Sequence, residues 1–110
     1  MNAIHYLRVN VKSLAAEARF IRAEMSKTRD PSVRESLSHH RKTRLKDDAR
    51  LAHLALTFVR GKPYRRAEAS THRPVDSFAL SKKINRFLQW DERVTQSEVA
   101  NWLLAKEKPV

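Results

Sequence analysis

Residues 30–61 read DPSVRESLSHHRKTRLKDDARLAHLALTFVRG, and the limits of the principal helix of the chain are visible in them. Asp30 is a natural helix N-cap and Pro31 suits the first helical turn, so a helix begins here. It can continue up to Gly61, which favours a left-handed stop, and Pro63 prevents the helix from resuming in register. The stretch therefore predicts one long helix.

A second long helix precedes this stretch. Its apolar residues recur at alternating steps of three and four, which is the spacing of a helix that packs along another helix. These seam residues are Ile4, Leu7, Val11, Leu14, Ala18, Ile21 and Met25. Residues 26–31 break the pattern, and two long helices joined by so short a connection lie antiparallel. The sequence predicts a helical hairpin over residues 1–61.

The rest of the chain predicts smaller elements. Residues 62–75 form a basic connector with a short helix near residues 63–69, and residues 76–110 form a two-helix part, with helices over 76–89 and 95–106. Thr95 and Glu98 have the spacing of a capping box. The expected inward residues are Leu80, Ile84, Phe87 and Leu88 in the first small helix and Val99, Ala100, Trp102, Leu103 and Leu104 in the second. We expect a single all-α domain over residues 1–110: a long antiparallel helical hairpin, a short connector helix and two smaller C-terminal helices.

The composition excludes several classes of protein. The chain has 110 residues, 41% of them hydrophobic, which suffices for one modest core. With one Gly and no Cys, hairpin-rich β folds, glycine-rich phosphate loops, disulfides and thiolate chemistry do not fit. No apolar run approaches the roughly 18 residues of a membrane span, and the N-terminus lacks the apolar block of a signal peptide. We expect a cytoplasmic protein without a membrane partner.

The sequence shows no recognisable catalytic or metal-binding motif. Adjacent His39 and His40 point about 100° apart on a helix and cannot share one metal ion, and Asp47 and Asp48 diverge in the same way. No P-loop, dinucleotide fingerprint or nucleophile elbow is present. We therefore expect no enzymatic activity, no metal and no cofactor.

The charge points to an anionic partner. The formal net charge is +11, and residues 1–61 hold 13 basic against six acidic side chains. Each contact of a cation with a phosphate releases counterions and gives affinity that does not depend on sequence. On the second helix a basic stripe runs through His39, Lys42, Lys46, Arg50 and His53. We expect DNA or RNA to contact Lys42, Lys46, Arg50, Arg60, Lys62, Arg65, Arg66, Lys82, Lys83 and Arg86, with Tyr64 stacking on a base.

A second apolar stripe on the first helix leaves an alternative open. Val9, Ala16 and Phe20 lie on a different face from the seam, and either the core buries this stripe or a protein partner does. In the second case the chain is a protein-binding module that inhibits or redirects a host or defence enzyme. It would dock on an acidic or nucleic-acid-binding surface of that enzyme. Alternatively, the stripe makes the chain a homodimer through the first helix. The spacing of Arg44 and Asp48 permits either a buried ion pair or two exposed side chains.

Residues 51–68, LAHLALTFVRGKPYRRAE, resemble a pattern in small uncharacterised basic proteins of tailed phages. In that pattern a helix with an apolar end meets an Arg-Gly-x-Pro-Tyr turn followed by a Glu. The matching positions are His53, Leu54, Phe58, Arg60, Gly61, Pro63, Tyr64 and Glu68. The resemblance implies a phage-like origin, a small accessory role and, for a phage-encoded protein, a location in the host cytoplasm. It implies no activity and no site residues.

Overall fold

The structure, a computed structural model, describes residues 2–64 and 75–104, and these two ranges contain helices and turns but no strand. The α-helices are α1 (Ala3–Lys27), α2 (Pro31–His40), α3 (Lys46–Val59), α4 (Ser77–Asn85) and α5 (Gln96–Leu104). A π-helical turn (Arg41–Leu45) joins α2 to α3, and a 3-10 turn (Trp90–Glu92) lies between α4 and α5. The predicted all-α class is confirmed for the described residues, while most of the predicted connector helix lies outside them.

The helix ends follow the capping residues. The side chains of Asn2, Asp30 and Asp76 each accept a hydrogen bond of 2.9 Å from a backbone N–H in the first turn of α1, α2 and α4. The backbone N–H of Glu98 donates to the Thr95 hydroxyl at 3.1 Å, which is one half of the predicted capping box. Gly61 has a φ of 75° and ends the second arm of the hairpin as predicted.

Helix α4 ends at Asn85, four residues before the predicted end of the helix. The Asn85 side-chain amide donates to the Val94 carbonyl and accepts from the Val94 N–H, both at 2.9 Å. This paired contact ties the end of α4 to the start of α5, so the chain turns back before the helix can extend further. Phe87 and Leu88, which follow α4, still pack against the core as predicted.

The first helix packs along α2 and α3 as a helical hairpin. The Arg34 guanidinium donates to the Met25 carbonyl at 3.2 and 3.1 Å, and His40 contacts Glu17 at 3.3 Å. As the sequence number rises along the second arm, its partner on α1 falls, so the two arms run in opposite directions. All seven predicted seam residues of α1 are buried or half-buried.

Two hydrophobic clusters divide the hairpin along its length. The proximal core combines Leu7, Leu54, Ala55 and Tyr64 with Leu80, Ile84 and Val99 of the C-terminal helices. The distal core contains Leu14, Ile21, Leu45 and Ala52, all of them from the hairpin itself. The C-terminal helices therefore supply a third layer at one end only. We call residues 14–46, the two-layered end, the distal arm.

The π turn aligns the seam of the second arm. Leu37 and Leu45 are eight residues apart, which in a regular α-helix places them about 80° apart around the axis. A π turn holds one extra residue per turn and so rotates the following side chains back by about 100°. Both leucines consequently pack in the distal core, Leu45 with only 4% of its surface exposed. The long second helix predicted from residue 31 to Gly61 is present as one joined helix over residues 31–59, with the π turn inside it.

Candidate nucleic-acid interface

The distal arm is basic overall, and both of its helices have exposed side chains. Residues 14–46 contain nine Lys and Arg against four Asp and Glu. Helix α2 has no buried residue at all, because no third layer packs against it among the described residues. Helix α2 itself carries one Arg and one Glu, so the excess of cations in the distal arm comes from α1, the π turn and Lys46. The arm is thus the largest candidate surface for an anionic ligand.

The π turn contains three of the cations of the distal arm within five residues. Its sequence is RKTRL, and the backbone N–H of Lys46 bonds to the Arg41 carbonyl five residues earlier. The Thr43 hydroxyl donates to the His39 carbonyl at 2.7 Å and so satisfies a carbonyl group of the preceding turn. Turns of this kind are often found at functional sites. In this arm the widened turn spreads three cationic side chains over a broad sector of the helix surface.

The predicted basic stripe passes through the π turn. Lys42 and Lys46 are both exposed and lie in the π turn and directly after it. By the same bond pattern, Arg41 lies directly below Lys46. Arg50 is half-buried in α3. His39, Lys42 and Lys46 of the predicted stripe therefore lie in or next to the π turn, whereas Arg50 and His53 lie further along α3.

Arg60 and Lys62 form a separate group at the far end of α3. Both side chains are exposed, and the length of α3 separates them from Lys46 by about 20 Å. The Lys62 carbonyl accepts a hydrogen bond of 2.9 Å from the Trp102 indole, which fixes the backbone of this turn against α5. The predicted contacts of Arg65 and Arg66 lie outside the described residues. The structure thus divides the expected basic patch into two.

Tyr64 is placed differently from the expectation. It is only 9% exposed, and its ring centroid lies 5.3 Å from that of Trp102. Phe58 contacts the same indole at 5.4 Å between centroids. A tyrosine packed in the proximal core cannot present its ring face to a nucleobase, so Tyr64 is a packing residue and not a stacking residue. The residue that accounts for the burial of Tyr64 is Trp102, which is distant from it in sequence.

The three predicted cations at the C-terminal end of α4, two inside it and Arg86 directly after it, have different environments. Lys82 is exposed and lies 5.1 Å from the centroid of the Phe78 ring, a cation–π distance. Burial lowers the pKa of the half-buried Lys83 ammonium below its ordinary value of 10.5. The Asp48 carboxylate raises this pKa in part, and the Arg86 guanidinium lowers it further. Arg86 is exposed. Lys83 is therefore partly a structural cation, and Arg86 is the better placed of this pair for an external phosphate.

Two expectations about polar and apolar side chains are resolved. Arg44 and Asp48 are both exposed, so they do not form a buried pair. Leu104, predicted as an inward residue, is 74% exposed at the end of α5. The second of the two alternatives left open by the spacing of Arg44 and Asp48, two exposed side chains, is the one observed. The almost wholly polar run of residues 36–44 is the signal that this part of the helix extends beyond the core.

The stripe formed by Val9, Ala16 and Phe20 is exposed. Val9 is 50% and Phe20 64% exposed, and no described residue covers the stripe. The expectation that the core buries this face is wrong for the described residues. The second interpretation of the stripe, as a surface for a partner, stays a prediction.

The described residues offer no other recognisable site. Within residues 2–64 and 75–104, no three His, Asp or Glu side chains are grouped so that they could hold a metal ion. No helix in this part of the chain combines the length and the apolar composition of a membrane span.

Comparison with known proteins adds no relative. A scan against protein-family models finds no match, and searches of curated proteins and of solved structures find none either.

Proposed function

We propose that the chain is a small accessory protein that binds nucleic acid through its distal arm, by phosphate contacts with little dependence on sequence. One observation carries the proposal: the distal arm has nine basic against four acidic side chains, and three of the cations lie together in the π turn. Such a surface attracts polyanions because each phosphate contact releases condensed counterions. The phage-like origin and the host cytoplasm implied by the sequence resemblance belong to the same proposal.

The geometry of the arm supports contacts with several phosphates at once. Helix α2 and the π turn together span residues 31–45, about 20 Å of helix. One turn of B-DNA is about 34 Å long, so the arm can follow more than half of a turn. Arg side chains, which suit bidentate phosphate contact, provide three of the exposed or half-buried cations here: Arg34, Arg41 and Arg44.

Binding is measured by fluorescence anisotropy with labelled single- and double-stranded DNA and RNA over a range of salt concentrations. We expect affinity tighter than about 1 µM at about 150 mM salt, which exceeds ordinary non-specific binding. For the double variant Lys42→Ala/Lys46→Ala we expect weaker binding to every sequence. On duplex DNA the slope of log affinity against log salt should become shallower by about two units. The ranking of the four ligands distinguishes DNA from RNA and single from double strands.

The matched control is Arg8→Ala/Lys12→Ala, which removes the same charge from the exposed surface of α1 outside the distal arm. We expect this variant to retain most of the affinity and the parental salt slope. Equal losses in the two variants would show that only the total charge matters and would refute a site on the arm. Affinity that appears only at low salt would refute the proposal altogether.

The second basic group is tested separately by Arg60→Ala/Lys62→Ala. Because about 20 Å of helix separates this group from Lys46, a short oligonucleotide that occupies the arm cannot also reach it. We expect the variant to weaken long ligands more than short ones. An equal effect on both lengths would place the primary site at the end of α3 instead of on the distal arm.

A further inference from the structure

The outer face of α1 has an apolar centre. Val9, Ala16 and Phe20 follow at steps of seven and four, which places them on one line on the side of the helix opposite the seam. Val9 and Phe20 are about half and two-thirds exposed, and the line is about 16 Å long, or three helical turns. An isolated exposed hydrophobic residue is ordinary, but an aligned set that includes a phenylalanine is typical of a contact surface.

The same face has a basic flank. Arg8, Lys12 and Arg19 are exposed and lie roughly 80° around the helix from the apolar line, all on one side. None of the three forms an ion pair with a described residue. On the opposite flank, Glu17 is already in contact with His40 of the hairpin at 3.3 Å. The charge that this face offers to a partner is therefore positive and on one side.

These features select one kind of occupant. A nucleic acid would satisfy the cations but would leave phosphates against Val9, Ala16 and Phe20, where apolar contact gives it nothing. A second copy of the chain would match the apolar line but would bring a further net charge of +11 to the contact. A helix with an apolar stripe and a flank of Asp or Glu satisfies both parts of the face.

We propose that the outer face of α1 docks an acidic amphipathic helix of a protein partner, with Phe20 as the apolar anchor and Arg8, Lys12 and Arg19 opposite the partner's carboxylates. Ala16, Arg19 and Phe20 of this surface belong to the distal arm by position, but they lie on the outer face of α1. The variants that test nucleic-acid binding change Lys42 and Lys46 on the second arm of the hairpin, so a protein partner and a nucleic acid can be tested separately. This surface also gives the predicted protein-binding role of the chain a defined position on the fold.

The probe is a labelled synthetic peptide with leucines at a and d positions and glutamates along one flank, compared with a peptide of the same composition in scrambled order. Anisotropy is measured with the full chain. We expect the striped peptide to bind at least about tenfold more tightly than the scrambled peptide, because only the striped one can pair its apolar side with Phe20. Equal binding of the two peptides, or no binding, overturns the proposal.

Two variants separate the named face from the rest of the surface. Phe20→Ala should weaken binding of the striped peptide by about tenfold, a typical effect of removing an aromatic anchor. The control Phe78→Ala removes a similarly exposed phenylalanine from α4 and should leave binding unchanged. Similar losses in the two variants overturn the proposal. So does sedimentation showing that the parent is a dimer that Phe20→Ala dissociates, because the occupant is then a second copy.

Discussion

Deleting Thr43 from the π turn should leave the fold intact, although deleting one residue from a helix normally destroys the packing beyond it. The parent holds Leu37 and Leu45 on the same face by accommodating an extra residue in the π turn. With Thr43 removed, the two leucines are seven residues apart, and a regular α-helix then places them within about 20° of each other. The deletion should convert the π turn into ordinary helix and preserve the register of α3 on α1.

The magnitude of the expected effect follows from the contacts that change. The deletion removes the hydrogen bond from the Thr43 hydroxyl to the His39 carbonyl, 2.7 Å long, which is worth about 0.5–1.5 kcal/mol. In a regular helix a backbone N–H takes its place at the same carbonyl. We therefore expect the free energy of unfolding to change by less than about 1 kcal/mol.

The matched control is deletion of His53, an exposed residue in the regular part of α3. That deletion rotates all later residues of α3 by about 100° and turns Leu54 and Ala55 out of the proximal core. Loss of the buried leucine alone costs about 1.5–3 kcal/mol, and the whole stability of a small domain is about 5–15 kcal/mol. We expect this variant to be largely unfolded.

Urea and thermal unfolding, followed by far-UV circular dichroism, compare the parent with the two deletion variants. The reasoning predicts that the Thr43 deletion unfolds at nearly the parental midpoint and with the same slope, while the His53 deletion does not. If the two deletions destabilise the chain equally, the π turn does not set the register of the second arm, and our explanation of the distal core is wrong.

Three further predictions test the core, the turn and the buried cation. Leu45→Ala should destabilise the chain by about 2–5 kcal/mol in urea unfolding, because Leu45 is buried. Leu104→Ala, at an exposed position, should change the free energy of unfolding by less than about 0.5 kcal/mol. Equal effects of the two substitutions would contradict the assigned burial. Gly61→Ala should cost about 1–2 kcal/mol because its φ is positive, although a Cβ there meets no neighbour within 4 Å; an unchanged midpoint would argue against the left-handed turn. The pKa of Lys83, followed by NMR, should lie below 10.5 and should fall further in Asp48→Asn. The free energy of unfolding should rise as the pH rises from the folded pKa towards 10.5, because the unfolded chain retains this proton to higher pH. A pKa at or above 10.5 would refute the partial burial of Lys83.

The parts of the fold that the sequence predicts are those governed by local and regular patterns. The seam of α1 is predictable because its residues follow one uninterrupted α-helical period. Asp30 and Gly61 mark the limits of the second arm because capping and a positive φ depend on the residue itself. The antiparallel course of the hairpin then follows from the short connection between the arms.

The π turn could not be predicted, because a helical projection assumes the same rotation for every residue. Its extra residue lies within a polar stretch, where no apolar spacing records the change of period. Leu45 is one of the most buried residues of the distal core, yet its spacing of eight residues from Leu37 does not indicate a shared face in a regular helix. Only the packing of the two arms against each other requires the extra residue.

The candidate interface was predictable in its charge but not in its shape. Lys42 and Lys46 are exposed as expected, because cations seldom lie in a core. Tyr64 was assigned to the ligand because it lies among cations in the sequence, yet its ring packs against Trp102. That contact joins parts of the chain 38 residues apart in sequence, and no local pattern contains it.

The unequal layering of the hairpin implies that its two ends open at different free energies. Amide protons of the proximal half of α1 are protected from exchange by three layers of packing. The protection of those in α2 comes from one small cluster and from a few contacts such as that of Arg34 with the Met25 carbonyl. Native-state hydrogen exchange should therefore be fastest near the tip of the hairpin. A polyanion bound across both helices of the distal arm would slow exchange there by mass action, since it must be released before the arm opens. The end of the molecule that is least stabilised by its own packing is thus the end that a bound polyanion would stabilise most.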